Sequence, residues 1–193
     1  MRAVRLVLPA AAALALTACF GGAKPPPTLL TLTPQAAPVA IQRTATPGQA
    51  VTILDPLVGK ELRQVRVPVL EAPGQVTYIK GLQYVDTPDR LFQHLLAETV
   101  KRTTNRVVLD QGQTTLDSGV LVTGTLERFG YDTALGQVIV TYDATLSTQG
   151  GTQVQARRFE ATAPADGTAA TVGPALNQAA NAVASQVASW IGS

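Results

Sequence analysis

Chemistry in this chain would have to come from very few side chains. There is one cysteine, Cys19, and one histidine, His94. A serine or cysteine nucleophile would have only His94 as its imidazole base, and no partner set stands near it in sequence. His94 lies beside the apolar stripe of an expected helix, which reads as a surface or boundary position. One cysteine and one histidine are too few for a usual zinc site. The carboxylates are scattered, so pairing any two as acid and base would be arbitrary. Gly-x-Ser-x-Gly, His-Glu-x-x-His, the Walker loop and the glycine-rich dinucleotide fingerprint are missing. The stretch "DQGQTTLDSG" at 110–119 superficially resembles a calcium loop, yet it lacks the acidic spacing and the closing glutamate of an EF-hand. It reads as a polar hairpin connection. No catalytic residue, cofactor or metal is assigned, and the thiol is left as the group to explain.

The residues before Cys19 explain it. Arg2 and Arg5 form a short basic region, and Leu6 to Leu16 is apolar with one proline, Pro9. That run has the length of a signal-peptide core and falls short of the ~20 residues a membrane-spanning helix needs. Leu16-Thr17-Ala18-Cys19 then reads Leu-small-small-Cys, which resembles a bacterial lipobox. Small residues fit a narrow peptidase site, and the thiol is the nucleophile that takes the lipid. Residues 1–18 are therefore expected to be a signal peptide and Cys19 the lipidation site. Three acyl chains, at ~0.8 kcal/mol per buried methylene, would anchor the chain permanently. Phe20 stands where an aspartate favours inner-membrane retention in Gram-negative lipoproteins, so the resemblance points to a periplasm-facing body anchored in the outer membrane.

Removal of residues 1–18 leaves 175 of the 193 residues, enough for one domain with a real core. The full chain has 15 Lys and Arg against 13 Asp and Glu; loss of Arg2 and Arg5 brings the two to 13 each. A neutral mature chain with no basic patch lacks the electrostatic footprint of a nucleic-acid binder. Residues 19–27 form a lipidated Gly/Pro tether, "CFGGAKPPP", stiffened toward polyproline II by its three prolines. Residues 28–193 are expected to form a single domain.

Within that domain the spacing predicts a first strand at Leu29–Thr33 and a proline-rich loop over 34–49. Short β-rich runs follow at Val51–Leu54 and Leu62–Leu70. Pro68 marks the second as an edge or bulged strand. Residues 75–85 read as a strand pair turning at Lys80-Gly81. Helix signals converge on 88–103: Thr87 as cap, Pro88 at the first position, Asp89 at the positive end of the dipole, Lys101 and Arg102 at the other. Leu91, Phe92, Leu95, Leu96 and Val100 make its apolar stripe. Strands are expected at Arg106–Asp110, Gly119–Phe129, Gln137–Leu146 and Thr152–Ala163, with "QGGT" at 149–152 as a hairpin turn. A terminal helix over about 173–191 presents a narrow stripe of Leu176, Ala180, Val183, Val187 and Trp190 or Ile191. The order implies an α+β fold, a largely antiparallel sheet with two helices packed on one face.

Taken in order, the lipobox at Cys19, "LLTLTP", "QVRVPVLEAPGQV", "YVDTPDRLFQHLLAETV", "GVLVTGTLERFGYD", "QVIVTYDATL", "RRFEATAPADG" and the alanine-rich helix ending at Trp190 resemble the ABC-type transport auxiliary lipoprotein family, which includes PqiC-like lipoproteins. Leu91-Phe92 replace the tryptophan that members often carry early in the central helix, and the opening strand lacks the usual tyrosine. The resemblance implies a non-catalytic accessory subunit of an MCE/Mla-type system that moves phospholipids or other hydrophobic molecules between inner and outer membranes. Its implied partners are an MCE-domain protein with its ABC permease and ATPase, and the membrane through the N-terminal lipid. Lipid cargo and a homo-oligomer stay open. The alternative is a structural or assembly lipoprotein of other outer-membrane machinery.

Overall fold

Regular alternation in the second half of the chain builds the sheet, and the first half fills in around it. In a computed structural model, residues 28–40, 42–113 and 119–192 are described. The chain runs β1 (Val51–Ile53), β2 (Leu57–Val58), β3 (Arg66–Ala72), β4 (Gln75–Gln83), α1 (Pro88–Thr103), β5 (Val108–Leu109), β6 (Val120–Asp132), β7 (Gln137–Thr148), β8 (Gln153–Pro164) and α2 (Ala169–Gly192). The strands form one eight-stranded sheet.

Strand β6 is its spine. One side pairs antiparallel with β7 from Leu121↔Ser147 to Asp132↔Gln137. The other side takes three short strands in succession, all parallel: β1 at Val51↔Val120, β2 at Val58↔Leu126 and β3 at Val69↔Tyr131. Beyond them β5 joins β1, β4 joins β3, and β8 joins β7. The fold is α+β as expected, but the sheet is mixed rather than largely antiparallel. The reason is α1: it carries the chain back before β6 begins, as a parallel pair requires.

Three local expectations are corrected. Of the two alternatives for Pro68, the sheet edge is overturned, since β3 is flanked by both β4 and β6, and the bulged strand is borne out. Pro68 sits at a register shift against β4 and one residue ahead of the first β6 pair, where the ladders are interrupted and a missing N–H costs little. Residues 75–83 are one strand; Gly81, with φ of 74°, absorbs an irregularity, and the turn falls earlier, at Gly74. Leu29–Thr33 forms no strand, only a parallel bridge between Leu30 and Tyr84.

Helix α1 has the expected bounds. Thr87 is its N-cap without a side-chain hydrogen bond, and its own N–H donates to Asp86 Oδ1 at 2.7 Å. Phe92, Leu95, Leu96 and Val100 are buried, and His94 is exposed. Helix α2 starts a turn before the expected 173. The Asp166 carboxylate accepts the Thr168 N–H at 2.9 Å and the hydroxyls of Thr168 and Thr171, and the Thr168 carbonyl accepts the Val172 N–H at 2.9 Å. The two threonine hydroxyls, with the Thr168 N–H, hold the Asp166 carboxyl down at about 2. The buried stripe of α2 is wider than expected, taking in Ala175, Ala179, Ala184 and Ala188. Alanines let its backbone approach α1 and the inner faces of β7 and β8.

Aromatic rings fill the space between α1 and the sheet. Phe92 lies 5.1 Å from Tyr142 and 6.4 Å from Phe129, and Phe129 lies 5.8 Å from Tyr84. The hydroxyls of Tyr84 and Tyr142 are buried without a hydrogen-bond partner, and burial raises both phenols well above their usual range.

The segment before β1 is strapped onto the helices. Leu32 is buried in the core. Asn177 Oδ1 accepts the Thr33 N–H at 2.8 Å, Asn181 Oδ1 accepts the Gln35 N–H at 2.7 Å, and Asn181 Nδ2 donates to the Thr33 carbonyl at 2.9 Å. Arg102 donates to the Ala36 carbonyl at 2.9 Å. Two amides one turn apart on α2 thus read the backbone of an extended chain.

Two outcomes follow from this packing. In denaturant melts Leu95→Ala should cost ~2–5 kcal/mol, while His94→Ala should stay within about 0.5 kcal/mol; the reverse order would overturn the assignment of helix faces. Asn181→Ala should cost ~1–3 kcal/mol by orphaning the strap's backbone groups. Amide hydrogen exchange at Gln35 should speed up with it, and unchanged protection there would contradict the strap.

Candidate functional site

The residues singled out by the sequence do not converge. Cys19 lies outside the described residues. His94 is exposed on α1, with Glu98 one turn on as an electrostatic neighbour. Of the connection at 110–119, residues 111–113 form a single 3-10 turn and 114–118 lie outside the described residues. Among the described residues no three His, Cys, Asp or Glu side chains gather in a metal-binding group, and no helix is long and apolar enough to cross a membrane.

What the fold does build is a braced face on the side of the sheet away from the helices. A bulge in β6 makes it. Up to Leu126 the inward residues are Val120, Val122 and Leu126; after the register shift between Leu126 and Arg128 they are Phe129 and Tyr131. The extra residue keeps aromatic rings under α1 and turns Arg128 outward, opposite Thr141. Arg128 Nη2 donates to Asp132 Oδ2 at 2.6 Å. The other carboxylate oxygen accepts the Ala134 and Leu135 N–H groups at 3.0 and 3.2 Å, closing the β6–β7 turn. Farther along, Arg158 makes two 2.6 Å hydrogen bonds to Asp143, and Thr141 donates to Glu160 Oε2 at 2.7 Å. The guanidinium of Arg158 holds the Asp143 carboxyl below its usual value.

Next to this ladder is an apolar cleft of about 110 Å³. Pro68 and Leu70 of β3, Val76 of β4 and Ile139 of β7 supply its walls, with Glu61, Glu127 and Arg128 also lining it. Gly130 forms part of the floor because β3 passes too close for a side chain: a Cβ there would lie 2.4 Å from the Pro68 carbonyl oxygen. Beside it Arg66 stacks 4.2 Å over the Tyr78 ring and bonds Gln64 Oε1, and Gln64 in turn donates to the Tyr78 hydroxyl.

A second, polar hollow of about 590 Å³ lies between the C-terminal ends of α1 and α2, lined by Thr103, Thr104, Arg106, Ser189 and Gly192. Arg106 reaches the Gln49 and Ile191 carbonyls, each at 3.5 Å, and so answers the negative end of the α2 dipole. Sites for drug-sized ligands span about 300–1,000 Å³ and are mostly apolar. The cleft is apolar but holds only a side chain or a few methylenes, and the larger hollow is polar. Asp132, Asp143 and Glu160 on the outward face are engaged with arginines, a hydroxyl or backbone amides. They brace a surface.

The sequence reading did not find this face. One signal was available: the apolar alternation of β6 changes phase between Leu126 and Phe129, which marks a bulge.

Comparison with known proteins places this architecture. Two solved structures with TM-scores above 0.5 share the arrangement at low identity, and a third has a lower score that carries no weight for the fold. Protein XCC0632 from Xanthomonas campestris, of family DUF330, has a TM-score of 0.67 at 16% identity, covering 86% of this chain and 92% of that one. A protein described only as uncharacterized gives 0.62 at 14% identity, covering 78% and 96%. The PelC dodecamer from Paraburkholderia phytofirmans gives 0.46 at 14% identity, covering 80% and 96%. No curated protein matches the chain. At these identities the likeness speaks for the fold alone. The sequence itself matches, over residues 30–188, the family described as ABC-type transport auxiliary lipoprotein component, and the chain belongs to that family.

Proposed function

We propose that this protein is a non-catalytic subunit, anchored by lipid on Cys19, of an ABC-type system of the MCE, Mla or Pqi kind that moves phospholipids or other hydrophobic molecules between inner and outer membranes. The observation that carries this reading is the family match over residues 30–188, which spans the strap, the whole sheet and nearly all of α2. Residues 1–18 act as the signal peptide. Residues 20–27 then span about 25 Å at ~3.1 Å per residue if the Gly/Pro tether extends. The strap at Thr33 and Gln35 supports a short path from that tether to the body, and Phe20, standing in place of an inner-membrane aspartate, favours the outer membrane.

The cavities favour an accessory role over cargo carriage. The apolar cleft of about 110 Å³ is small beside a whole phospholipid, and the hollow of about 590 Å³ is lined by hydroxyls, amides and Arg106. On this reading the protein braces or docks the conduit, and the MCE-domain protein with its permease and ATPase handles the lipid.

The test compares the native chain with Cys19→Ala in its own envelope. Palmitate label should enter the native chain only. Isolation of the native chain after mild crosslinking should bring an MCE-domain protein and an ABC permease and ATPase with it, and Cys19→Ala should lose them. Equal labelling would refute the anchor. Recovery of outer-membrane assembly machinery in place of a transporter would refute the function.

A further inference from the structure

Strand β8 is an edge of unusual regularity, approached by α2 where Gln186 Nε2 donates a long 3.5 Å hydrogen bond to the Glu160 carbonyl. Among the described residues it pairs with β7 alone, over its full twelve residues and with no shift of register. Proteins usually blunt such an edge with a bulge, a proline, short length or inward charge. The other edges here are blunted. Strand β5 is two residues long, and β4 carries two register shifts against β3, the positive-φ Gly81 and an exposed Lys80. Within β8 the proline, Pro164, comes last, and residues 153–158 are exposed on both faces of the sheet.

Its charges are the second observation. Arg157 and Arg158 would repel an arbitrary strand. Glu160, however, stands two residues from Arg158 on the same outward face. We propose that β8 is the interface for a second copy of this chain, the two β8 strands pairing antiparallel about a twofold axis at Phe159. In that register Arg158 faces Glu160 of the second copy, and Glu160 faces Arg158 of the second copy. Val154, 63% exposed in the single chain, faces Pro164, and Ala156 faces Thr162. Each Arg158 is then shared between its own Asp143 and the neighbouring Glu160, so the ladder on the outward face continues across the axis.

Neighbouring registers are penalised. Sliding the second copy by one residue sets the helix-covered face of one sheet beside the outward face of the other. Sliding by two residues sets Glu160 against Glu160 or Arg158 against Arg158. The pairing is isologous and closed, so it stops at two chains through this edge. The inference does not depend on which transporter the protein serves.

Cysteines at the two positions that face each other test the register. The double variant Ala156→Cys/Thr162→Cys of the full-length lipoprotein, oxidised in its own membrane, should give a disulfide-linked dimer that the native chain, with Cys19 alone, does not give. In that background Arg158→Glu or Glu160→Arg should abolish the dimer, and Arg158→Glu combined with Glu160→Arg should restore it. The combined reversal still removes the Asp143–Arg158 pair, so restoration separates the contact between copies from loss of that internal pair; circular dichroism of each variant reads folding. A folded double-cysteine variant that does not crosslink overturns the proposal. So does a crosslink that survives the single reversals, or one that the combined reversal does not restore.

Discussion

The structure depends on β6 finding partners along both of its sides. A long central strand has a full row of backbone donors and acceptors on each side, and each must be paired once it is buried. On one side β7 does this alone, through a tight turn closed by the Asp132 carboxylate. On the other side the work is divided among β1, β2 and β3, which come from a part of the chain broken by prolines and glycines. Short parallel strands of this kind have little stability of their own. They are held because β6 is already fixed by β7, and because α1 crosses over them and plants Phe92 among Tyr84, Phe129 and Tyr142. The bulge in β6 reconciles the two demands. It keeps Phe129 and Tyr131 on the helix side while the strand extends far enough to receive β3.

This arrangement sorts the molecule into two faces with different tasks. The helix face is a core built on alanine-sized contacts along α2, and Asn181, the one buried amide side chain among the described residues, holds the extended segment at Thr33 and Gln35. The outward face is a lattice of engaged charges beside a small apolar cleft. Tyr84 and Tyr142 show what the helix face costs: each ring fills space, and each hydroxyl goes without a partner at ~1–3 kcal/mol.

Much of this was legible in the sequence, for local reasons. Pro88, Asp89, Lys101 and Arg102 set the bounds of α1, because N-terminal proline and charge against the dipole act within the helix itself. The strict alternation of Val138, Val140, Tyr142, Ala144 and Leu146 gave β7. Other features depended on partners far away in the chain. Pro68 suggested an edge or a bulge; β3 is interior, and Pro68 sits at the register shift against β4, one residue before the ladder to β6 begins. Pro174 suggested a helix start, yet Asp166 and Thr168 nucleate an earlier turn. Gly81 suggested a turn, yet β4 passes through it. The cleft was invisible because four strands from distant parts of the chain supply its walls. The proposed lipid acceptor, Cys19, rests on the order of its neighbours in the sequence.

A rigid β6–β7 spine carries peripheral surfaces, and membership of the auxiliary lipoprotein family ties the chain to a transport system. Amide hydrogen exchange on the lipoprotein, alone and within its isolated transporter complex, tests that tie most directly. The account predicts that β6 and β7 amides exchange slowest in both states, and that assembly adds protection on the outward side, at β3, β4 or β8. Fast exchange along β6, or new protection confined to α1 and α2, would contradict it.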